Sequence, residues 1–265
     1  MKLPEALGEW SNWRPWLFER ASELTTAVAF ATRLPLPFPQ PAPIGGAIGR
    51  AAWALPVAGL LVGLIGGAVF ALAHGLGVPP WPAAGLALAA TLLATGCLHE
   101  DGLADTVDGF GGGATREQKL AIMREPRIGA YGVCALALSL LIRGAAVASF
   151  EDTGPAVWAL LAAHGGGRAA MALMMFFVAP ARSDGLSFEA GQPPAESAAA
   201  AFVIGLLILI AGLGFVRAIE AAVLLAIVIA LTARFTRQQI GGQTGDVLGA
   251  LEQASEIVIL LVAAR

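Results

Sequence analysis

Four carboxylates lie within nine residues of the segment 99–113, which reads HEDGLADTVDGFGGG. Asp101, Asp105 and Asp108 are spaced at i, i+4 and i+7, so on a helix they share one face. Like charges this close repel one another, and carboxylate oxygens are ligands that Mg²⁺ accepts while it keeps positions free for phosphate oxygens. The spacing therefore predicts a Mg²⁺ site formed by these three aspartates. A solvated acidic end of a helix is the alternative.

The same segment follows directly on the apolar run PAAGLALAATLLATGCL, which indicates a membrane span. If this span continues as one helix past Cys97 and ends at Gly109, the aspartates crowd its last turns, where the helix dipole disfavours anions. His99 and Glu100 then point away from the three aspartates. His99 is a candidate general base near the ion, and a histidine hydrogen-bonded at the water boundary is the alternative.

Two arginines follow the acidic segment in MREPRIGAYG, where Arg124 and Arg127 flank Pro126. If Pro126 opens the next span, both guanidinium groups are held near the membrane surface. Arg binds phosphate oxygens in a bidentate way, so the pair is predicted to contact a phosphate-containing substrate. The alternative is that they are basic only because cytoplasmic loops are basic.

A second polar segment, QQIGGQTGD, ends at Asp246 just before the last predicted span. Asp246 is expected either to cap that helix or to act in the site. Glu256 lies on a similar side of the same helix, which indicates a polar wall that descends from the site. Arg168, in an earlier span, needs an anionic partner, either Glu256 or a ligand phosphate. Arg143 is expected to snorkel to the membrane surface.

The composition says which elements must position these groups. The chain has 265 residues, of which 57% are hydrophobic and 13% charged, with a mean hydropathy of +0.74. A soluble domain carries roughly 25% charged residues, so the composition excludes one and predicts an all-α, polytopic membrane helix bundle. Cys97 and Cys134 are expected to be inert packing residues. About seven transmembrane helices are predicted, at 51–74, 80–98, 128–150, 155–179, 197–216, 219–234 and 247–264, after a short interfacial or re-entrant helix at 22–32.

The orientation follows from the basic residues, since Lys and Arg near the ends of spans stay in the cytoplasm. With the N-terminus inside, most of the 16 Lys and Arg residues are cytoplasmic. The prediction is a single membrane domain over 1–265 in the cytoplasmic (inner) membrane. Its cytoplasmic or interfacial segment is 1–50, its bundle is 51–265, and the site faces the cytoplasm through loops 99–127 and 235–246.

Five motifs carry a resemblance to a known family. They are TRLP at 32–35, the acidic segment at 99–113, MREPRIGAYG at 123–132, GRAAM at 167–171 and GGQTGDVLGA at 241–250. In this order along the chain they resemble the adenosylcobinamide-GDP ribazoletransferase (cobalamin synthase) family of membrane enzymes.

The resemblance implies a Mg²⁺-dependent reaction in cobalamin biosynthesis. A ribose hydroxyl of α-ribazole, or of its 5′-phosphate, attacks the corrinoid-bound phosphate of adenosylcobinamide-GDP. GMP leaves, and adenosylcobalamin or its 5′-phosphate forms. On this reading Asp101, Asp105 and Asp108 hold Mg²⁺, and Asp246 or His99 assists the attacking hydroxyl. The predicted substrate-binding residues are Arg33, Arg124, Arg127, Arg168 and Glu256.

The expected partners are these two substrates and the lipid bilayer, with no role for nucleic acid, and assembly as a homo-oligomer stays open.

Two rival functions remain. A phosphotransferase of CDP-alcohol type also uses aspartates along a membrane helix, but its D-x2-D-G-x2-A-R run is absent here. A divalent-cation transporter would instead line a path through the bilayer with its acidic residues.

Overall fold

A computed structural model describes residues 6–35 and 45–265, with side chains from residue 15 onward in the first range. Within these ranges the chain is helical, as the composition predicts, apart from turns and short connections. The helices are α1 (Ala6–Ala31), α2 (Ala47–Arg50), α3 (Leu55–Gly75), α4 (Pro80–Thr95), α5 (Leu98–Gly112), α6 (Arg116–Ile122), α7 (Ala130–Ala148), α8 (Thr153–Phe177), α9 (Leu186–Ala190), α10 (Ala195–Leu213), α11 (Phe215–Ile240) and α12 (Gly245–Ala263), and a 3-10 turn (Ala51–Ala54) joins α2 to α3.

The polytopic membrane bundle is confirmed, and each of the seven predicted spans corresponds to a helix. Five segments in the described ranges are long and apolar enough to cross a membrane: Ala47–Gly75, Ala130–Ala148, Thr153–Phe177, Ala195–Leu213 and Phe215–Ile240. The bent pair of α4 and α5 makes a sixth if it is counted as one span. Helix α12 is not among them; it carries three carboxylates, Asp246 in its first turn and Glu252 and Glu256 near its middle. The N-terminal helix α1 is longer than the segment 22–32 that was expected.

Helix α8 is the centre of the bundle, where it packs against α3, α10 and α12. In its most apolar stretch 78% of the residues are buried, against 17% in that of α11, which therefore lies at the periphery. Small residues let α3 and α8 approach closely: a Cβ on Gly59 would lie 2.2 Å from the carbonyl oxygen of His164. Such contacts between small residues are the usual means of helix association in a membrane.

The prediction of one helix running through Cys97 is wrong. Gly96 and Cys97 have φ values of 64° and 57°, so the chain makes a left-handed turn that ends α4 and starts α5. A positive φ is uncommon for a residue with a Cβ such as Cys97. The two helices meet at 89°. Helix α5 also continues to Gly112 instead of ending at Gly109. The turn takes the acidic segment off the axis of the apolar helix and gives it a helix of its own.

Candidate active site

The site is built where α5 crosses α12. A Cβ on Gly102 would lie 2.8 Å from the carbonyl oxygen of Asp246, and one on Gly249 would lie 3.1 Å from the Cα of His99. A Cβ at position 102 would force the two backbones apart, and one at position 249 would be an unusually tight contact. Both helices begin at the crossing, and Asp101 and Asp246 lie in their first turns. The positive ends of two helix dipoles therefore favour anions here. This reverses the expected placement for Asp101, whereas Asp108 still lies in the last turns of α5.

The pKa of Asp105 reflects the negative charge at the crossing of α5 and α12. Burial, followed by repulsion from Asp101, Asp246 and Asp108, raises the pKa of Asp105 to about 7. The charges that produce this shift are all carboxylates. A set of oxygen donors with excess negative charge is the donor chemistry that Mg²⁺ requires. These residues therefore fit the ion that the sequence predicts.

Asp246 is free for the site because another residue caps α12. The hydroxyl of Thr244 accepts a hydrogen bond from the backbone N–H of Val247, so Thr244 is the N-cap and the capping alternative for Asp246 is wrong. The Thr244 hydroxyl also donates to Asp246 Oδ2 at 3.1 Å. Burial raises the pKa of Asp246, although the nearby guanidinium of Arg182 and the Thr244 hydroxyl act in the opposite direction.

Asp108 has partners of a different kind. Its Oδ2 accepts a hydrogen bond from the backbone N–H of Gly129 at 2.7 Å, and its Oδ1 accepts one from Gly132 at 2.9 Å. These N–H groups belong to the start of α7, so the buried carboxylate joins α5 to α7 and stabilises a helix N-terminus. Its role as a metal ligand stays a prediction.

A cleft of about 620 Å³ opens beside Asp101 and Asp105. Arg124 and Arg127 line it together with Pro126, as their predicted contact with substrate requires. The expectation that Pro126 opens the next span is wrong, since α7 begins at Ala130 and the two arginines lie on a loop. The lining of the cleft thus includes both carboxylates and exposed arginines.

Arg33 reaches the same region from α1. Its backbone N–H donates to the carbonyl oxygen of Ala94 at 2.7 Å, and its side chain covers the turn at Gly96, where a Cβ would lie 2.7 Å from its Cγ. The next residue, Cys97, lines the cleft. Cys97 and Cys134 are both exposed, so the expectation that they pack inside the protein is wrong.

Below the cleft, α5, α7, α8 and α12 enclose a set of charged and polar side chains that we call the buried network. Arg143 donates to Glu256 at 2.8 Å and to Glu100 at 3.1 Å. Arg168 donates to Glu252 at 2.6 Å and lies 3.5 Å from Glu256. Each member is at least nine-tenths buried, and the members are His99, Glu100, Arg143, His164, Arg168, Glu252, Gln253 and Glu256.

The network accounts for several residues that the sequence singled out. Arg168 has Glu256 nearby, as proposed, but its closer partner is Glu252, which the sequence argument did not assign. The expectation that Arg143 snorkels is wrong, since it is 1% exposed and ion-paired. Contact of Arg168 or Glu256 with substrate stays a prediction.

His99 belongs to this network and not to the cleft. It is 2% exposed, and its Nδ1 lies 3.4 Å from Nη2 of Arg168 and 3.8 Å from Oε2 of Glu252. The fixed guanidinium beside it disfavours a positive charge on the imidazole. Its proposed role as general base is untested. The Asp246 side chain is 22% exposed, so it is more accessible than the buried imidazole of His99.

A second set of possible metal ligands also lies inside the network. Ligand atoms of His164, Glu252 and Glu256 lie within 4.8 Å of one another, a spacing that the aspartates of the described chain do not reach. Arg143 and Arg168 already neutralise these glutamates. A divalent ion there would add charge to a compensated cluster, whereas at the aspartates it would relieve repulsion. Charge therefore favours the wider, open aspartate site.

The sequence argument missed Arg182 and Asp184, which lie between α8 and α9. Nη2 of Arg182 is 3.7 Å from Oδ2 of Asp246, and Arg124 pairs with Asp184 at 2.5 Å. The segment that contains them was recognised only as cytoplasmic and polar. Its position over Asp246 depends on a contact between distant parts of the chain, for which the sequence gives no local signal.

The fold and the site define a polytopic helical membrane protein with a cleft lined in part by carboxylates and arginines. A family model described as cobalamin-5-phosphate synthase matches residues 23–264. The chain belongs to this family, which confirms the resemblance, and it is an enzyme, a transferase of cobalamin synthesis.

Relatives named adenosylcobinamide-GDP ribazoletransferase match over nearly their full length. The one from Bradyrhizobium diazoefficiens is 54% identical over 92% of this chain and 93% of its own. Those from Mesorhizobium japonicum and Azorhizobium caulinodans are 52% and 42% identical, each over 91% of this chain and over 92% and 94% of their own. No solved structure matches the chain.

Proposed function

We propose that the chain joins α-ribazole, or its 5′-phosphate, to adenosylcobinamide-GDP in a Mg²⁺-dependent reaction that releases GMP. The observation that carries this proposal is the raised pKa of Asp105, at about 7, produced by burial and by surrounding carboxylates beside an arginine-lined cleft. The names of the relatives supply the two substrates.

Carboxylates and guanidinium groups that line the same cleft have different roles in this proposal. Asp101 and Asp105 would hold Mg²⁺, and the ion would supply positive charge that favours binding of the diphosphate. Arg124 and Arg127 bind the same diphosphate and neutralise it. Because phosphoryl transfer depends mainly on positioning and charge neutralisation, this arrangement provides most of what the reaction needs.

Asp246 accepts the proton of the attacking ribose hydroxyl. Its raised pKa brings it closer to the working pH, which favours proton transfer. The hydroxyl oxygen forms a bond to the corrinoid-bound phosphorus, the bond from that phosphorus to the bridging oxygen breaks, and GMP leaves with that oxygen. The proton passes from Asp246 to solvent.

The buried network favours an enzyme over a cation transporter. Below the cleft, Glu252 and Glu256 are paired with Arg168 and Arg143 at 2.6 and 2.8 Å. A diffusing cation would meet two fixed guanidinium groups and carboxylates that are already neutralised. The charge pattern suits a site that is closed below and open toward one face.

The direct test is GMP release by purified protein supplied with adenosylcobinamide-GDP, α-ribazole and Mg²⁺. We expect GMP only when all three are present, and equal amounts of GMP and corrinoid product. Asp105→Asn should abolish turnover, while Asp152→Asn, in the turn before α8, should leave it intact. A folded wild-type sample that releases no GMP with either α-ribazole or its 5′-phosphate would overturn the proposal.

We further propose that the protein lies in the cytoplasmic (inner) membrane with its cleft toward the cytoplasm. The basic loops at the ends of the spans support this orientation. In a background in which Cys97 and Cys134 are replaced by serine, Gly112→Cys should resist an impermeant thiol reagent in intact cells and react after permeabilisation. Equal labelling in both conditions would reverse the orientation.

A further inference from the structure

The segment 179–187, which joins α8 to α9 and includes the first two residues of α9, is hydrogen-bonded to the segment that leads into α12. Pro180 and Gln243 form a parallel β-bridge. The N–H of Ala181 donates to the carbonyl oxygen of Gln243 at 2.7 Å, and the N–H of Gln243 donates to that of Ala179 at 3.0 Å. Ser187 Oγ donates to Oε1 of Gln243 at 2.7 Å. These bonds fix whatever this segment carries relative to Asp246, three residues beyond Gln243.

What the segment carries is Arg182. Its Nη2 is 3.7 Å from Oδ2 of Asp246, and its Nε is 3.8 Å from Oδ1 of Asp184. Both distances are too long for a strong hydrogen bond. Its Nη1 is buried and has no hydrogen-bond partner among the residues that the structure describes. The guanidinium is thus positioned by the fold while its donors are poorly used.

Arg182 also belongs to a row of alternating charges. Asp184, which pairs with Arg124 at 2.5 Å, lies between the two arginines, and Asp246 lies beyond Arg182. The row therefore connects the arginine that lines the cleft to the carboxylate at the crossing of α5 and α12. Asp184 Oδ1 is thus shared by two guanidinium groups, at 2.5 Å from Arg124 and 3.8 Å from Arg182.

We infer that Arg182 binds a phosphate oxygen of the diphosphate in the active site, beside Asp246. The inference rests on the proposed function. A buried guanidinium donor without a partner is unusual, and a bound anion is one of the few ways to satisfy it. A planar guanidinium binds phosphate with two parallel hydrogen bonds, which neither Asp246 nor Asp184 receives at the distances observed. Arg182 lies beside the proposed proton acceptor, so it contacts the phosphoryl group that is transferred.

A purely structural role for Arg182 makes a different prediction. If Arg182 only positions Asp246, its replacement should lower kcat and leave the binding of a diphosphate unchanged. If it binds phosphate, replacement should weaken diphosphate binding even without an acceptor substrate. Binding and turnover therefore separate the two roles.

The experiment measures binding of inorganic pyrophosphate with Mg²⁺ by calorimetry, and KM for adenosylcobinamide-GDP, in wild type, Arg182→Gln and Arg182→Lys. The loss of hydrogen bonds to a charged group predicts a roughly ten- to hundredfold rise in Kd and KM for Arg182→Gln. Arg182→Lys keeps the positive charge but lacks the planar pair of N–H donors, so it should recover only part of the lost affinity. Arg237→Gln is the matched control, since Arg237 donates to the carbonyl oxygen of Phe177 at 2.6 Å, just before the same segment.

Values of Kd and KM within twofold of wild type in both Arg182 variants would overturn the inference, and so would a fall in kcat alone. If Arg182→Gln does not fold, the lysine variant decides, because a normal Kd for pyrophosphate with Arg182→Lys would also contradict a bidentate contact. The pyrophosphate measurement does not depend on GMP release. A wild type that binds pyrophosphate through Arg182 yet releases no GMP would refute the proposed function while this inference stands.

Discussion

Asp105→Asn tests whether the aspartates at the crossing of α5 and α12 form a binding site for a cation. Without metal, the raised pKa of Asp105, about 7 against an ordinary 3.8, means that folding favours the protonated form. The stability that this preference provides is present at low pH and is lost as the pH rises through 7. At pH 8 the ionised carboxylate therefore destabilises the metal-free protein, and a neutral amide of the same shape should relieve the repulsion.

The magnitude follows from the pKa shift. Taken in full, the shift from 3.8 to about 7 corresponds to about 4 kcal/mol. Asp105 is only partly buried, so solvent screening reduces this to roughly 1–2 kcal/mol. For a protein of this size each kcal/mol shifts Tm by roughly 2–4 °C, so Asp105→Asn should melt roughly 2–8 °C higher than wild type at pH 8 in EDTA.

Addition of Mg²⁺ should reverse the order of the two melting temperatures, so that wild type melts above Asp105→Asn. Ligand at 100 times its Kd stabilises the wild type by about 2.7 kcal/mol, which would raise its Tm by roughly 5–10 °C. The Asn variant should show little of this increase. The assay is thermal unfolding of the purified protein in detergent at pH 8, with EDTA or excess Mg²⁺. The reasoning fails if Asp105→Asn melts below wild type in EDTA, or if Mg²⁺ raises both melting temperatures equally.

Three further predictions concern the same region. Asp108→Asn should lower the free energy of unfolding of the metal-free protein by about 1–3 kcal/mol, because one N–H at the start of α7 loses its acceptor; unchanged chemical denaturation in EDTA would contradict this. Gly102→Ala places a Cβ 2.8 Å from the carbonyl oxygen of Asp246. Separation of α5 from α12 by even ~1 Å should slow GMP release roughly a hundredfold, and a near-normal rate would show that the crossing is not needed for catalysis. Because Asp105 must lose its proton to bind a cation, Mg²⁺ should bind roughly tenfold more weakly at pH 6 than at pH 8 by calorimetry, and a flat profile would exclude Asp105 as a ligand.

The helices were predictable because their information is local. Apolar runs long enough to cross a bilayer located α3, α7, α8, α10 and α11, and motif spacing located the aspartates. The turn at Gly96 and Cys97 was not predictable in the same way. The residues around it are apolar on one side and acidic on the other, and the helical pattern alone does not show that the direction of the chain changes by 89°.

The partners of charged residues were predicted less well, since they depend on how helices pack. Arg143, Arg168 and Glu256 stood out in the sequence as charges in apolar segments. Nothing in their spacing showed that Arg143 faces both Glu100 and Glu256. Arg182 is the clearest case, because the bridge between Pro180 and Gln243 joins segments more than sixty residues apart. A cytoplasmic arginine looks the same in sequence whether it contacts substrate or solvent.

The buried network also constrains how the protein is made. Both carboxylates that pair with Arg168, Glu252 and Glu256, lie on α12, the last helix of the bundle. A guanidinium left in the membrane interior without its partner costs about 3 kcal/mol or more. During synthesis α8 therefore enters the bilayer before its counter-charges exist. Stable assembly of α8 must wait until the ribosome has delivered α12, so the biogenesis of this enzyme depends on a helix that is made after α8.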